Sequence, residues 1–537
     1  MSKTVFRNDA QLNDLQNLAL FLGDSLDQTI ANPTAAHRWH TLLDLYHRID
    51  DTELRAIVQS KLLAHVPDTG IEGFFRATFL ADATDDPAYI AQAGRLVQQI
   101  RPFDPDRLTA FTVYVWGEII AKSLGRADFV AALRDARIHE VESMLGRYLV
   151  QSLDSPLRPR PISSVRKVAI VTSYIGHHVH TPTMMAFQQA RLLQRQGIAV
   201  HLFSAQELRV AQMGLYLGNN INLMTAAPEL AALKKLIPDG VDVTLSDERF
   251  SLVRRWRDLL ASVAQFDPDM VLFVGLNSPF LAPLYAARPV LGLCVHSVPP
   301  LAPVDVWLSA NRANHRQASA VWAPALPNAW GHYHPYRIEL KPISAPTSRA
   351  ELGLAADDLV LVSAGARLQH EINGEWAARV AQILHRHPQV VWLLPGRDGP
   401  PPAALAELPA TRVRVLPYQD DLRSLYRCCD VYLNPPRIGG GFSVAEAMAE
   451  GLPTLAFNES DGGDKLGEHA VKTMDAYFER LDALITDQAL RERTGSSMGA
   501  LFAETLDLEQ SGPSLLAACQ YAVERYRERA AAVVPAA

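Results

Sequence analysis

The stretch NPPRIGGGFSVAEAMAEGLPTLA, residues 434–456, decides how this 537-residue chain is interpreted. It follows a short apolar run, Val431–Leu433, that is typical of a strand buried on both faces. Three glycines, Gly439, Gly440 and Gly441, precede a helical pattern. Glycines let backbone N–H groups approach an anion, and a helix N-terminus adds partial positive charge. The stretch therefore predicts a diphosphate site, with a flexible turn as the alternative.

Outward from this stretch, apolar runs alternate with helical patterns. In the C-terminal half the runs lie at 359–363, 390–394, 413–416, 431–433 and 454–456. An earlier series lies at 168–171, 199–203, 270–274 and 290–294. Strands separated by helices of about 10 to 15 residues predict parallel, doubly wound sheets. The chain therefore holds two such sheets, with ligands expected at the carboxyl ends of their strands.

The first 150 residues show helical periodicity and no strand-like alternation. Apolar residues recur at helical spacing, for example Trp39, Leu42, Leu43 and Tyr46. The Pro- and Ser-rich residues 151–166 predict a linker. The predicted order is an all-α domain at 1–150 for acceptor docking or dimerisation, the linker, a Rossmann-like domain at 167–340, a second one at 341–512, and a C-terminal helix at 513–537.

Composition excludes several classes of function. The net charge of −7 gives no general basic field for nucleic acid or an anionic membrane. No signal peptide is recognisable, and no window reaches the roughly 18 apolar residues of a membrane span. The four cysteines have no zinc-ligand spacing. These observations favour a cytoplasmic protein with reduced thiols.

The C-terminal pattern resembles GT-B glycosyltransferases of group 1, whose motif reads E-G-F-G-x-x-x-x-E-A-M-A-x-G-x-P. The second Glu of that motif matches Glu446 in EAMAEGLP. The resemblance implies that Glu446 binds the ribose hydroxyls of a nucleotide sugar, and that the glycines and Ser443 bind its diphosphate. Ser443 also stands at capping-box spacing from Glu446. The first Glu is replaced by Ile438, so sugar identity and stereochemistry are not inherited. Glu450, on the same helix, is interpreted as solvated.

Three further segments extend the resemblance. Arg367, in GARL, matches a G-x-R-L motif whose Arg reaches the donor phosphates; a Lys common five residues later is Ile372 here. Tyr418, in LPYQDD, lies at the predicted base-binding edge. Asp464, in SDGGD, is predicted to accept a sugar hydroxyl, with an ordinary turn as the alternative.

The first strand of the N-terminal half ends in a histidine-rich loop with His177, His178 and His180. A histidine near its unperturbed pKa can accept a proton from an acceptor hydroxyl. His180 is the predicted base and His177 the next candidate, whereas His178 lies on the acceptor side. Metal binding or a structural role are the alternatives. Asn277 and His296 follow two later strands and are also predicted on the acceptor side, with a hydrogen-bonded core histidine as the alternative for His296.

These features predict an α/β glycosyltransferase that uses a UDP- or GDP-linked sugar as donor and no cofactor. No D-x-D pair follows a strand end, so metal-independent transfer is expected. The helical domain before a GT-B fold resembles that of cytoplasmic bacterial protein glycosyltransferases, which implies a protein side chain as acceptor and a homo-oligomer as an option. The alternatives are a polysaccharide or lipid-linked acceptor, a nucleotide-sugar epimerase or hydrolase, and a scaffold without catalysis.

Overall fold

The computed structural model describes residues 9–84, 86–121, 126–176, 180–210, 233–296, 298–310, 330–340, 342–343, 346–396 and 399–533. The first part is all helical, as predicted. Its described helices are α1 (Asp9–Ala31), α2 (Ala36–His47), α3 (Thr52–His65), α4 (Gly70–Thr84), α5 (Pro87–Val97), α6 (Pro105–Ala121), α7 (Arg126–Asp135) and α8 (Ile138–Ser152). The apolar positions that predicted helices are buried, as in α2 at Trp39, Leu42, Leu43 and Tyr46.

The first sheet is parallel, with strand order β3-β2-β1-β4-β5-β6-β7. Its strands are β1 (Lys167–Val171), β2 (Ala199–Ser204), β3 (Asp242–Leu245), β4 (Met270–Val274), β5 (Val290–Leu293), β6 (Val306–Ser309) and β7 (Trp330–Tyr333). Helices α9 (Thr181–Arg195), α10 (Leu252–Phe266) and α11 (Leu281–Ala287) connect them. Strands β3, β6 and β7 were not predicted, because each has four residues and mixes polar with apolar side chains.

The second sheet is also parallel, with strand order β10-β9-β8-β11-β12. Its strands are β8 (Leu359–Val362), β9 (Val390–Pro395), β10 (Val413–Leu416), β11 (Val431–Leu433) and β12 (Thr454–Leu455). The helices of this half are α12 (Leu368–Glu371), α13 (Gly374–Arg386), α14 (Leu422–Tyr426), α15 (Gly441–Ala449), α16 (Asp461–Leu466), α17 (Met474–Thr486) and α18 (Gln488–Thr505). All five strands coincide with predicted runs, and the two-sheet α/β architecture behind a helical region is confirmed.

The last helix, α19 (Gly512–Val533), returns to the first sheet. Its apolar residues Leu515, Cys519, Ala522 and Tyr526 are buried where the helix packs on β5 and β6, and Leu516 is partly buried. The chain crosses between the sheets twice, and a parallel bridge joins Ile338 to Asp507 where the two crossings meet. The final helix therefore covers the N-terminal half although it follows the C-terminal half in sequence.

The helical region packs on the opposite face of the first sheet. Its buried residues belong to the same core as Ala169 and Val171 of β1 and Trp256 of α10. The side chain of Asp106 on α6 accepts a hydrogen bond from the backbone N–H of Leu252 at 3.0 Å. The helices and the first sheet thus share one core. Among the described helices, none is both long and apolar enough to cross a membrane.

Candidate functional site

The two sheets direct the carboxyl ends of their strands toward a common cleft. After β8 the chain turns through Gly365 to Arg367, and after β11 it turns through the glycine loop, defined as residues 439–441. A Cβ atom on Gly439 would lie 3.1 Å from Nη2 of Arg367. The structure therefore brings the predicted Arg367 against the predicted glycine loop.

Helix α15 begins at Gly441, with Gly440 as its N-cap at φ +89°. That backbone angle favours glycine, and a Cβ at Gly440 would collide with the side chains of Asn434 and Arg437. The capping-box interpretation is wrong, because Ser443 lies inside the helix. Its hydroxyl donates to the carbonyl of Gly440 at 3.1 Å and accepts from the hydroxyl of Tyr432 at 2.8 Å.

Beneath the glycine loop lies a buried charge cluster that the sequence analysis missed, formed by Glu371 and Arg437 with Arg367 above them. Nη1 of Arg437 donates to Oε2 of Glu371 at 2.6 Å, and Nε of Arg367 donates to Oε1 at 3.1 Å. Burial opposes ionisation of Glu371, but the two guanidinium groups outweigh it and hold its pKa below the usual value. A signal for one pair was present, since Arg367 and Glu371 are four residues apart.

Tyr418, predicted at the base-binding edge, lies near Glu446 of α15. Burial raises the pKa of the Tyr418 hydroxyl, and the nearby carboxylates of Asp420 and Glu446 add to the rise. Tyr418 is 51% exposed, so it stands at the rim of the cleft. The structure thus places the predicted Tyr418 and Glu446 within electrostatic reach of each other.

Glu450 departs from its sequence interpretation. Its side chain is 5% exposed, and its carboxylate binds Arg427 at 2.7 Å and also Arg423. The prediction that Glu450 is solvated is wrong, because these two arginines lie over the end of α15. Glu450 therefore ties α14 to the end of α15.

Helix α16 brings a further carboxylate to the cleft. Oδ2 of Asp461 lies 3.7 Å from Nδ1 of His296, which follows β5 in the other half. The His296 ring also packs on Phe129 of α7, with ring centroids 5.5 Å apart. Asp461 contacts the glycine loop, because a Cβ at Gly441 would lie 3.2 Å from its Cβ. His296 therefore faces the C-terminal half, and its contact with Asp461 could not be predicted from local sequence because the two residues are far apart along the chain.

The remaining acceptor-side predictions divide into described and undescribed residues. His177 and His178 lie outside the described residues. His180 is the N-cap residue of α9, and its Nδ1 lies 2.7 Å from Oγ1 of Thr183. Its ring packs edge-on against Tyr174. In the tautomer that carries its proton on Nδ1 and donates it to Thr183, Nε2 holds the lone pair of the neutral imidazole.

Asn277 is tied to the helical region. Its amide donates to Oε1 of Glu142 on α8 at 2.9 Å. Burial raises the pKa of Glu142 to about 8 and that of the neighbouring Glu207 to about 7. Trp256 donates its Nε1–H to Glu207 at 2.7 Å. Asn277 therefore joins a buried carboxyl cluster where the helices meet the first sheet.

A cavity of about 830 Å³ opens beside α16. One wall is formed by Val130 and Arg134 of α7. A second wall is formed at the carboxyl ends of β6 and β7 by Ala310 and Tyr333. The third wall belongs to the C-terminal half and includes the predicted residue Asp464. All three parts of the chain thus line this space.

The second sheet carries a recognisable family domain. Residues 358–487 match the family described as "Glycosyl transferases group 1". This segment contains Arg367, the glycine loop and Glu446. No curated protein sequence matches the chain.

The chain is similar to several solved structures. A mutant of an O-GlcNAc transferase from Thermobaculum terrenum has 14% identity and a TM-score of 0.54, and the match covers 99% of this chain and 100% of that one. HepE from Anabaena, in complex with UDP and glucose, has 16% identity and a TM-score of 0.44 over 66% and 99% of the two chains. The glycosyltransferase SnogD from Streptomyces nogalater has 15% identity and a TM-score of 0.36 over 66% and 99%. The first match shows the same fold along the chain. The TM-scores of the other two are too low to support that conclusion.

The chain therefore has the GT-B architecture, preceded by a helical region. Within it, residues 358–487 form a group 1 glycosyl transferase domain, and the chain is a glycosyltransferase.

Proposed function

We propose that this enzyme transfers a sugar from a nucleoside-diphosphate sugar to a protein side chain. The observation that carries the donor part is the position of Arg367 over the glycine loop at the start of α15, with Glu446 farther along the same helix. A cation and a helix N-terminus favour a diphosphate at one end. A carboxylate nearby suits the vicinal hydroxyls of a ribose.

The donor residues have distinct roles in this proposal. Glu446 holds the ribose, and the chain around Tyr418 reads a uracil or guanine base. Arg367 and the backbone N–H groups of the glycine loop stabilise the leaving diphosphate, so that transfer needs no metal and no cofactor. Ser443 supports the loop through its bond to the Gly440 carbonyl, and Asp464 faces the cavity where a sugar hydroxyl is accepted.

The acceptor part of the proposal rests on the cavity beside α16. The helical region supplies one of its walls, so a polypeptide docked on the helices can place a side chain beside the donor. His180 is the proposed base for the acceptor hydroxyl, held by Thr183, with His177 as the second candidate. The acceptor side also includes His178, Asn277 and His296.

A panel of UDP- and GDP-sugars in a thermal-shift assay tests the donor assignment. We expect one nucleotide sugar to raise the melting temperature of the native enzyme. Glu446→Ala should weaken its binding by about 10- to 100-fold, because charge-assisted hydrogen bonds to the ribose are lost. Glu375→Ala is the matched control, since Glu375 has a 72% exposed side chain on α13. Near-normal donor affinity in Glu446→Ala would contradict the assignment.

Mass spectrometry then separates the acceptor classes. Transfer to protein predicts a polypeptide that gains one sugar mass when enzyme, the selected donor and candidate proteins are incubated together. Incorporation only into glycan or lipid-linked acceptors would favour the other transferase assignment. Conversion of the donor alone into an epimer would favour an epimerase.

A further inference from the structure

We propose that Glu371 is a positioning residue for the donor diphosphate: it holds Arg367 over the glycine loop, while Arg437 fixes Glu371 from below. This inference rests on the proposed nucleotide-sugar function. It assigns a role in donor binding to two residues that do not touch the donor.

Glu371 divides its two carboxylate oxygens between two guanidinium groups. Oε1 lies 3.1 Å from both Nε and Nη2 of Arg367, and Oε2 lies 2.6 Å from Nη1 of Arg437. The Glu371 side chain is 2% exposed, whereas that of Arg367 is 45% exposed. The charge of Glu371 is therefore buried and fixed, and the guanidinium that it orients reaches the open cleft.

Each guanidinium nitrogen of Arg437 donates a hydrogen bond to a buried partner. Besides its bond to Glu371, its Nε donates to Oδ1 of Asn434 at 2.8 Å, and its Nη2 donates to the carbonyl of Ala364 at 3.0 Å. Its side chain is 4% exposed. Arg437 therefore balances the buried carboxylate and leaves the cationic contact with the donor to Arg367.

The position of the Arg437 guanidinium also accounts for glycine at two positions in the neighbouring turns. A Cβ at Gly365 would lie 2.8 Å from Nη1 of Arg437, and one at Gly440 would lie 2.6 Å from Nη2. The turn after β8 and the turn after β11 thus pack on opposite parts of one side chain. Arg437 sets the separation between the two turns, and Glu371 sets where Arg367 stands above them.

Orientation of Arg367 before binding has a thermodynamic consequence. A long exposed side chain loses rotamer freedom when it binds a ligand, and prior ordering lowers that cost. A fixed guanidinium also needs little rearrangement as charge develops on the leaving phosphate. We therefore expect loss of Glu371 to resemble a partial loss of Arg367.

A double-mutant cycle tests this relation. UDP and GDP are titrated by calorimetry into the native enzyme, Arg367→Ala, Glu371→Gln and the double variant. We expect Arg367→Ala to lower the affinity for the preferred diphosphate by about 10- to 100-fold and Glu371→Gln by about 10-fold. The double variant should bind within about twofold of Arg367→Ala, because Glu371 acts through Arg367. Glu375→Gln, the same change on the exposed face of α13, should bind like the native enzyme.

A second variant covers the case in which Glu371→Gln does not fold. Glu371→Asp keeps the charge beside Arg437 but is one methylene shorter, so it should retain the native melting temperature and still lose affinity when Arg367 is present. Losses that add in the double variant, or native affinity in both Glu371 variants, would overturn the proposal. If neither UDP nor GDP binds the native enzyme, the proposed donor function fails first and this inference fails with it.

Discussion

Glu371 in the C-terminal half and Glu142, on α8 where the helical region meets the first sheet, are both buried, yet their surroundings favour opposite protonation states. Two arginines hold the pKa of Glu371 below its usual range against the effect of burial. At Glu142, burial dominates and raises the pKa to about 8, although an amide hydrogen bond from Asn277 opposes the rise. The proposed donor half thus holds a fixed network of charges, whereas the junction of the helical region with the first sheet, on the proposed acceptor side, holds a carboxyl group that titrates near neutral pH.

This difference matches what each half has to do in the proposed reaction. A diphosphate is an anion at every pH of interest, so a permanent arrangement of cations and carboxylates binds it best. An acceptor hydroxyl has to lose its proton, which requires a group that can accept one. Variants in the donor half should change affinity and stability, and variants in the acceptor half should change turnover and pH dependence.

The largest effect is expected at His180. His180→Ala should lower turnover by about 10²- to 10⁴-fold, because the proposed base is lost, while the donor dissociation constant stays unchanged. Steady-state kinetics with saturating donor, together with donor calorimetry, measure the two quantities. His296→Ala is the comparison, since His296 faces Asp461 across the cleft. A loss of turnover in His296→Ala with native turnover in His180→Ala would indicate that His296, and not His180, is the base.

A smaller but still severe effect is expected at Arg437. Arg437→Met should lower the free energy of unfolding by about 3–5 kcal/mol, because Glu371 loses the buried partner that balances its charge. Urea denaturation followed by circular dichroism measures this loss. Arg379→Met is the control, since Arg379 pairs with Asp475, whose side chain is 81% exposed, and such pairs contribute about 0–1 kcal/mol. Equal losses of unfolding free energy in the two variants would contradict the prediction that the buried Arg437–Glu371 pair contributes more to stability than an exposed ion pair.

The smallest effect, and the one of opposite sign, is expected at Glu142. Folding raises its pKa from 4.5 to about 8, so unfolding releases a proton in that range. The free energy of unfolding should therefore fall as pH rises from about 4.5 to about 8. Glu142→Gln should reduce this slope and should stabilise the protein at neutral pH by up to about 3 kcal/mol, because the unfolded native chain gains free energy by ionising Glu142 there and the neutral amide cannot ionise.

Melting curves across this pH range, at constant ionic strength, test the prediction. Glu207, with its pKa raised to about 7, contributes a remaining slope of the same sign. Glu140→Gln on the same helix is the control: Arg137 holds the pKa of Glu140 below its usual value, so this variant should leave the slope intact. An unchanged slope in Glu142→Gln would mean that Glu142 does not titrate with folding.

The donor half was the more predictable part of the site. Arg367, the glycines and Glu446 lie within short motifs that follow strands, and the carboxyl ends of parallel strands meet at one edge of a sheet. Arg437 stands inside the decisive stretch but was given no role, because nothing in the local sequence shows that its side chain turns inward. Asp461 and His296 meet only because two domains face each other.

The sequence by itself determined the two parallel sheets, the helical region and the glycine-rich turn before α15, because local periodicity and turn chemistry specify these features. Tertiary structure alone decided that α19 returns to the first sheet, that Glu371 lies between Arg367 and Arg437, and that Glu142 is buried beside Asn277. Each of these depends on residues brought together across long separations in the chain. Burial and charge pairing, which set the protonation of a carboxyl group, are properties of that packing and are not carried by any single segment.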